Sequence, residues 1–350
     1  MQARNTQGRN PSARKPWSPP GPIALLLLLL SLGGCTPNQI VIDLAPTSDE
    51  LDQTVVVDDG RWFSDRVALI DVSGLIVNSG QPRLIGAGPN PVSLLHEQLE
   101  KAAADRGVKA VVLRLNTPGG TVTASDAMYR EVQRFKRRTG KPVVALMMDT
   151  ATSGGYYLAC AADTIVTYPT SVTGSIGVIV QTFSFKPAMS RLGIQSEALT
   201  SGENKDAGSY FSTMTDEHRA ILQGLVDDFY QRFVNVVREH RPDIPDQRFD
   251  EVIDGRVMSG ERAVALGLAD RAGDIYDAFA EARALAEIER ADLVRYHRPR
   301  AAAGSPYARA PLADRGAGST QINLLQLNVE HLPGLDAPVG IYYLWQPDAP

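Results

Sequence analysis

Three predominantly apolar runs, Val67–Val72, Ala110–Leu115 and Pro142–Met148, do most to limit what this chain can fold into. Each reads as a strand, and the second as a buried one. The stretches between them have helical spacing. Asn90 and Pro91 supply a cap and a first-turn residue, and Val92, Leu95, Leu99 and Ala102 then recur up to Gly107. A second helix is expected over Ser125–Arg138, stopped by Gly140. Beyond the third run come a serine turn, a short helix to Ala162, and short strands at Ile165–Thr167 and Ile176–Val180. The longest helix is expected over Thr215–Glu239, with Ile221, Leu225, Phe229 and Phe233 on one face, and further helices over Glu261–Leu266 and Ile275–Ile288. Strands alternating with helices in this way give an α/β body with largely parallel pairing.

The ends do not belong to that body. Arg4, Arg9, Arg14 and Lys15 precede an apolar run, Ile23–Leu32, and then Gly33, Gly34 and Cys35. A run of about 10 residues is half of what a ~30 Å hydrocarbon core requires, so the pattern fits a cleaved signal segment. Small residues directly before a cysteine resemble a bacterial lipobox, in which Cys35 would be acylated and become the new N-terminus. The expected organisation is a lipoprotein signal over 1–35, a polar linker over 36–65, a catalytic domain over 66–290 and a tail over 291–350. Within that tail, Val339–Trp345 is apolar and aromatic enough for a strand, free to cap the body, pack on a neighbour or touch lipid.

Charge narrows the function. The chain carries a formal net charge of -5, and removing residues 1–35 makes it more acidic still, which gives no support for nucleic-acid binding. Only Cys160 would remain of the two cysteines, so no intramolecular disulfide is expected. Its apolar surroundings make it a buried small hydrophobe rather than a reactive thiol.

The chemistry concentrates in four short segments. Thr152-Ser153-Gly154-Gly155 places a hydroxyl where a strand feeds a helix and small neighbours let a peptide carbonyl approach; helix capping by Ser153 accounts for the same residues. A serine nucleophile needs a base. None of His96, His218, His240, His297 and His331 sits in a turn that would aim it at one. The 35 basic residues include only seven lysines. Arginine stays protonated, whereas lysine serves as a base once desolvated. At a pKa of ~10.4 about one amine in 2,500 is neutral at pH 7, so Lys205, in Ser201-Gly202-Glu203-Asn204-Lys205-Asp206, would need a dry pocket. Pro118-Gly119-Gly120, after a buried strand, is suited to present backbone N–H groups to an oxyanion, and Ser175 in Thr173-Gly174-Ser175 to hydrogen-bond an amine. Tight-turn requirements explain these glycines equally well.

The ordered set Asn116–Gly120, Ser153–Tyr157, Thr173–Val178, Ser201–Asp206, Asp254–Val257 and Ala265–Asp270 resembles the signal peptide peptidase A (protease IV) family in its short, single-module form. The resemblance implies a Clp protease/crotonase-like α/β fold of repeated β-β-α units and a Ser–Lys dyad. Ser153 matches the nucleophile, Lys205 the general base, Gly119 and Gly120 the oxyanion turn, and Ser175 the residue that orients the lysine. It also implies a ring-shaped homo-oligomer whose subunits complete each other's dyads. The chain departs from the family in replacing a membrane-spanning anchor with a lipid, and its tail has no match there.

The expectation is therefore a membrane-tethered serine endopeptidase on the extracytoplasmic (periplasmic) face of the cell envelope. Its substrates would be signal peptides or other extended apolar peptides, and no cofactor or metal is implied. Two rivals are an inactive oligomeric lipoprotein scaffold that binds peptides or proteins, and a crotonase-type enzyme acting on acyl-thioesters.

Overall fold

The computed structural model describes residues 51–60, 65–80, 90–298, 305–307 and 341–345. Cys35, the signal segment and most of the tail lie outside them, as does His331.

The strands are β1 (Asp52–Val57), β2 (Arg66–Ser73), β3 (Val108–Thr117), β4 (Gly119–Thr121), β5 (Val143–Thr152), β6 (Thr164–Thr167), β7 (Val172–Gly174), β8 (Val257–Ser259), β9 (Arg271–Ala272), β10 (Asp292–His297) and β11 (Tyr342–Leu344). The helices are α1 (Pro91–Ala104), α2 (Val122–Thr139), α3 (Gly154–Ala159), α4 (Lys186–Arg191), α5 (Asp216–His240), α6 (Asp246–Val252), α7 (Gly260–Ala265) and α8 (Ile275–Leu285).

One sheet runs in the order β1-β10-β2-β3-β5-β6-β9, with β7 beside β5 and β8 beside β7. Its centre is parallel, as expected; β1 on β10 and β8 on β7 are antiparallel. Alternate residues of the central strands enter opposite layers. Ala68, Ile70, Val111, Leu113, Ala145 and Met147 pack with α1, α2, α3 and the C-terminal half of α5. Val67, Leu69, Ala110, Val112, Val144 and Leu146 pack with Ile275, Ala278, Phe279 and Ala282 of α8. Covering both faces is what a parallel sheet of uniformly apolar strands requires.

Local signals place the helices. Asn90 accepts from the N–H groups of Val92 and Ser93 ahead of Pro91, and Gly140 ends α2 at φ 68° in the left-handed region. The strand expected at Ile176–Val180 is instead β7, four residues earlier, followed by a single bridge at Ile179.

The boundaries of the body also differ from the expected ones. β1 lies inside the segment read as linker, and β10 inside the segment read as tail; they pair with each other and extend the main sheet. β11, inside Val339–Trp345, runs antiparallel to β4, so Tyr342 faces Thr121, Tyr343 faces Gly120 and Leu344 faces Gly119. On its other edge it bridges Ile179. This segment therefore packs on the body, over the glycine turn. Among the described residues no helix is long and apolar enough to cross a membrane.

Candidate active site

Strand β5 ends at Thr152, and the next residue is held in a conformation that L side chains avoid: Ser153 has φ 52° and ψ -115°. Such a residue costs on the order of 1–3 kcal/mol and persists only where its surroundings impose it. Here they do. The Ser153 N–H donates to the Gly174 carbonyl at 2.8 Å, and its own carbonyl accepts from Tyr157 at 2.8 Å to start α3. The hydroxyl caps nothing, which removes helix capping as the reason for this serine. It is buried, Ser153 being 1% exposed, and Oγ has no hydrogen-bond partner. A buried hydroxyl without a partner calls for an explanation.

Both following glycines are forced by contact. A Cβ at Gly154 would meet Ser125 Oγ at 2.3 Å, and one at Gly155 would meet Thr117 Cγ2 at 2.7 Å. Gly154 also abuts the Pro118-Gly119-Gly120 turn, because its added Cβ would stand 3.2 Å from the Gly120 nitrogen. Gly119 (φ 103°) cannot carry a side chain: the Tyr343 carbonyl oxygen would lie 2.1 Å from it and the Gly154 nitrogen 2.8 Å.

The expected oxyanion pair needs one correction. The Gly119 N–H is spent on Thr117 Oγ1 at 3.1 Å, so Gly119 shapes the turn and Gly120 is its outward donor.

Ser175 lies beside this turn, 8% exposed, with φ 51° and its N–H donating to the Arg256 carbonyl at 2.7 Å. Since Gly174 receives the Ser153 N–H, the two strained serines are coupled through one peptide. No hydrogen bond joins the Ser175 hydroxyl to Lys205 among the described residues.

Lys205 stands elsewhere in character. It is exposed, in a turn whose Lys205 N–H donates to the Gly202 carbonyl at 3.1 Å. The turn is fastened to the start of α5: His218 Nε2 meets the Glu203 carbonyl at 3.0 Å and Asn204 Nδ2 donates to Glu217 Oε1 at 2.9 Å. Neighbouring Asp206 is held below the usual carboxylate range, chiefly by a hydrogen bond from Ser212. Lys101, Lys109, Lys136 and Lys141 are engaged with backbone carbonyls or carboxylates. The side-chain amines of Lys186 and Lys205 enter no hydrogen bond or ion pair among the described residues. The dry pocket expected around Lys205 is thus not formed by these residues of one chain.

The described histidines offer no substitute. His96 pairs with Glu131, His218 with Glu203, His240 with the Tyr129 hydroxyl and His297 with Thr54. Cys160 is fully buried, and burial pushes its thiol up to about 12, which matches an inert hydrophobe. Among the described residues no group of three or more His, Cys, Asp or Glu is placed to hold a metal.

Beyond Ser153 the site has a floor that the sequence did not single out. Tyr157, on α3, donates to Asp126 Oδ1 at 2.8 Å, and Arg232 of α5 donates to the same oxygen at 2.5 Å. Burial alone would raise the Asp126 carboxyl; hydrogen bonds from Arg232, Arg130 and Tyr157 outweigh it and hold the carboxyl below its ordinary value. Phe233 packs edge-on to Tyr157 with ring centroids 5.1 Å apart. Phe233 carried a signal in its helical spacing and Tyr157 in closing the Ser153–Tyr157 motif; Asp126 and Arg232 carried none.

The model for peptidase family S49 matches residues 135–289, from the end of α2 through Ser153, Ser175 and Lys205 to just past α8. A Synechocystis protein described as a candidate protease is 30% identical over 224 residues, covering 64% of this chain and 76% of its own length. The chain belongs to peptidase family S49. An Enterococcus faecium protein described as a candidate signal peptide peptidase SppA is 29% identical over 279 residues, with 79% of this chain and 80% of that protein covered. Protease 4 of Salmonella typhi is 35% identical over 224 residues; the match takes in 64% of this chain but only 35% of the larger protein. The resemblance to signal peptide peptidase A is therefore shown, and this S49 protein is a serine-type peptidase.

Proposed function

We propose that the chain is an endopeptidase in which Ser153 is the nucleophile and Lys205, delivered by a second copy of the chain, is the base. The observation that carries this reading is Ser153 itself: a strained, buried serine with an unused hydroxyl beside the N–H groups of Gly120 and Gly154. Acyl transfer requires that grouping of hydroxyl and paired backbone donors.

Delivery from a second copy is supported by what surrounds Lys205. Phe183, Phe185, Leu192, Ile194, Leu199, Phe211, Ile221 and Leu225 are all exposed, Leu199 at 95%. They fall in the same stretch of chain as the lysine, and apolar surface of that kind marks an interaction site. A subunit laid against it would remove water from Lys205 and lower the cost of the neutral amine.

In the reaction, Ser153 Oγ attacks the scissile carbonyl carbon as its proton passes to the Lys205 amine. The N–H groups of Gly120 and Gly154 hold the oxyanion. The C–N bond breaks, the proton moves from Lys205 to the leaving nitrogen, and water then releases the acyl group from Ser153. Ser175 orients the Lys205 amine for this transfer. The fold that supports this is of the Clp protease/crotonase kind, a reading favoured by the parallel sheet with a glycine turn opposite the nucleophile. Substrates are extended apolar peptides such as signal peptides, and a lipid on Cys35 tethers the assembly outside the cytoplasm.

Mixing decides between subunits and single chains. Ser153→Ala and Lys205→Arg variants should each lose casein hydrolysis by at least about 10³-fold, in the range seen when members of a catalytic unit are removed singly. Dissociated and reassembled together, they should recover a fraction of wild-type turnover. An active Lys205→Arg protein would remove the dyad, and a mixture that stays inactive despite co-assembly would remove delivery between subunits.

A further inference from the structure

The segment Asp254–Val257 is one of the ordered motifs of the sequence, and it takes no part in the reaction steps. It joins α6 to β8, and β8 runs antiparallel to β7, with Gly174 opposite Val257 and Thr173 opposite Met258. This places it directly behind the two strained serines. The Arg256 carbonyl accepts the Ser175 N–H at 2.7 Å, and the Gly174 carbonyl accepts the Ser153 N–H at 2.8 Å. The same Arg256 oxygen would lie 2.8 Å from a Cβ on Gly174, and Gly255 Cα 3.6 Å from one on Gly177. A shift of the Arg256 carbonyl would reach both serines. Their φ values of 51° and 52° persist only where neighbours impose them.

One side chain aims that carbonyl. Asp254 Oδ1 accepts from the Arg256 N–H at 3.0 Å. The bond closes an Asx turn over Gly255, which has φ 88° in the left-handed region. It fixes residue 256 on its N-terminal side, while the pairing of β8 with β7 fixes it on the other. Tyr230 of α5 donates to the Ile253 carbonyl at 2.7 Å, which fastens the start of the turn to a residue packed on the core. Asp254 also takes the Arg256 guanidinium, at 2.9 Å from Nε and 2.7 Å from Nη2. Glu251 links Arg256 to Arg262 at 3.2 and 2.9 Å. These ion pairs are about half exposed, and exposed pairs contribute little. The bond to the backbone N–H is the contact with a consequence for the serines.

We infer that Asp254 is a positioning residue for the reaction: through the Arg256 backbone it holds Ser175, and through the adjoining Gly174 it holds Ser153, in the conformations that acyl transfer needs. The inference rests on the roles proposed for Ser153 and Ser175. What matters in Asp254 is an oxygen facing the Arg256 N–H; its charge is dispensable.

Four variants of the full chain, assayed on fluorescein-labelled casein, separate the turn from the ion pairs. Asp254→Ala removes the acceptor and should lower kcat at least about tenfold with KM within about twofold, since misplacing reacting groups by about 1 Å costs up to about 10²-fold in rate. Asp254→Asn keeps an acceptor for the Arg256 N–H without the charge and should stay within about threefold of wild type. Arg256→Ala keeps the bond from Asp254 to the backbone and should do the same. Asp254→Glu keeps the charge but moves the acceptor by one methylene; it should be impaired like the alanine variant, and stands in for it should that one fold poorly. Amide exchange over residues 151–158 and 171–178 reads the same effect without turnover, and should quicken in the alanine and glutamate variants alone. Wild-type kcat in Asp254→Ala, a loss carried wholly by KM, or an asparagine variant as impaired as the alanine variant overturns the inference. If Ser153 is not the nucleophile, Ser153→Ala keeps casein hydrolysis while exchange still quickens in Asp254→Ala. If the inference alone fails, Ser153→Ala is inactive and Asp254→Ala matches wild type in both kcat and exchange.

Discussion

Ser153 and Lys205 sit in regions built in opposite ways. Around the serine, β3, β5 and β7 are packed on both faces, α3 is buried along its whole length, and glycines are fixed by contacts too close for a methyl group. Around the lysine, the chain from 181 to 205 is almost entirely exposed, and the first half of α5 packs little except His218. The first region is rigid enough to hold a strained residue. The second has the composition of an interface, apolar and aromatic, but no cover within the chain. On the proposed mechanism a catalyst divided between them would be switched on by assembly: the nucleophile and oxyanion donors would come preformed, and the base would arrive with a neighbour.

The largest effect should come from damaging the preformed half. Gly120→Ala would drive a Cβ to 1.8 Å from the Ile76 carbonyl oxygen, displacing the backbone whose N–H is proposed to serve the oxyanion. Loss of one such donor lowers kcat by about 10²–10³, and the clash should lower the melting temperature as well. A variant that keeps wild-type kcat would mean that the turn is not the oxyanion site. By contrast, Lys205→Arg should leave the melting temperature unchanged.

Next in size, Leu192→Glu with Leu199→Glu puts two charges on the exposed apolar surface of the other region. The melting temperature should hold, because these side chains are 75% and 95% exposed. Sedimentation should show smaller species, and peptidase activity per chain should drop at least about tenfold at low protein concentration. Full activity in a dissociated protein would break the contrast between the regions, since Lys205 would then find Ser153 within one chain.

The same contrast explains what could be read from the residues alone. In the packed region, period and punctuation are strong signals. The apolar runs mark β2, β3 and β5, and Asn90, Pro91 and Gly140 mark helix ends, because buried faces and caps are local requirements. β1 and β10 were illegible: each takes its strand character from pairing with a partner more than 230 residues away, and Asp52 or Arg295 gives no local hint of it. Ser153 was visible through its glycines, whereas its strain and orphan hydroxyl exist only in three dimensions. That Gly119 spends its N–H on Thr117 depends on a side-chain rotamer. Tyr157 closes the Ser153–Tyr157 motif, but its partners Asp126 and Arg232 come from separate helices, so no spacing could announce that the three meet.

A smaller effect distinguishes the Tyr157–Asp126–Arg232 brace from the sheet. Asp126→Asn should cost about 1.5–3 kcal/mol, the usual range for hydrogen bonds to a charged group. Its pH dependence has a definite sign. The folded-state pKa is depressed from 3.8, so the stabilisation is complete above that value and is lost as pH falls through the lower folded-state value. Urea midpoints of wild type and variant should converge as pH is lowered below about 4 and separate above it. A gap that stays constant with pH would mean that Asp126 is not charged in the fold.

The finest comparison uses two helix caps, one in each region. Asn90 caps α1, whose Leu95, Leu99 and Ala102 are in the core, and Thr215 caps α5 by accepting from the His218 N–H at 3.0 Å. Replacing such a residue by alanine costs typically about 1 kcal/mol. For Asn90→Ala that loss should appear in global unfolding, because α1 cannot open without exposing core. For Thr215→Ala the first turns of α5 can fray alone, since apart from His218 its buried residues Phe233, Val234, Val236 and Val237 begin about five turns from the cap. Amide exchange should therefore quicken over residues 217–225 with little change in the urea midpoint, and turnover should fall because Glu203 and Asn204 lean on that end of the helix. Equal effects of the two caps on global stability would show that the Lys205 region folds as one unit with the sheet and does not wait for a neighbour.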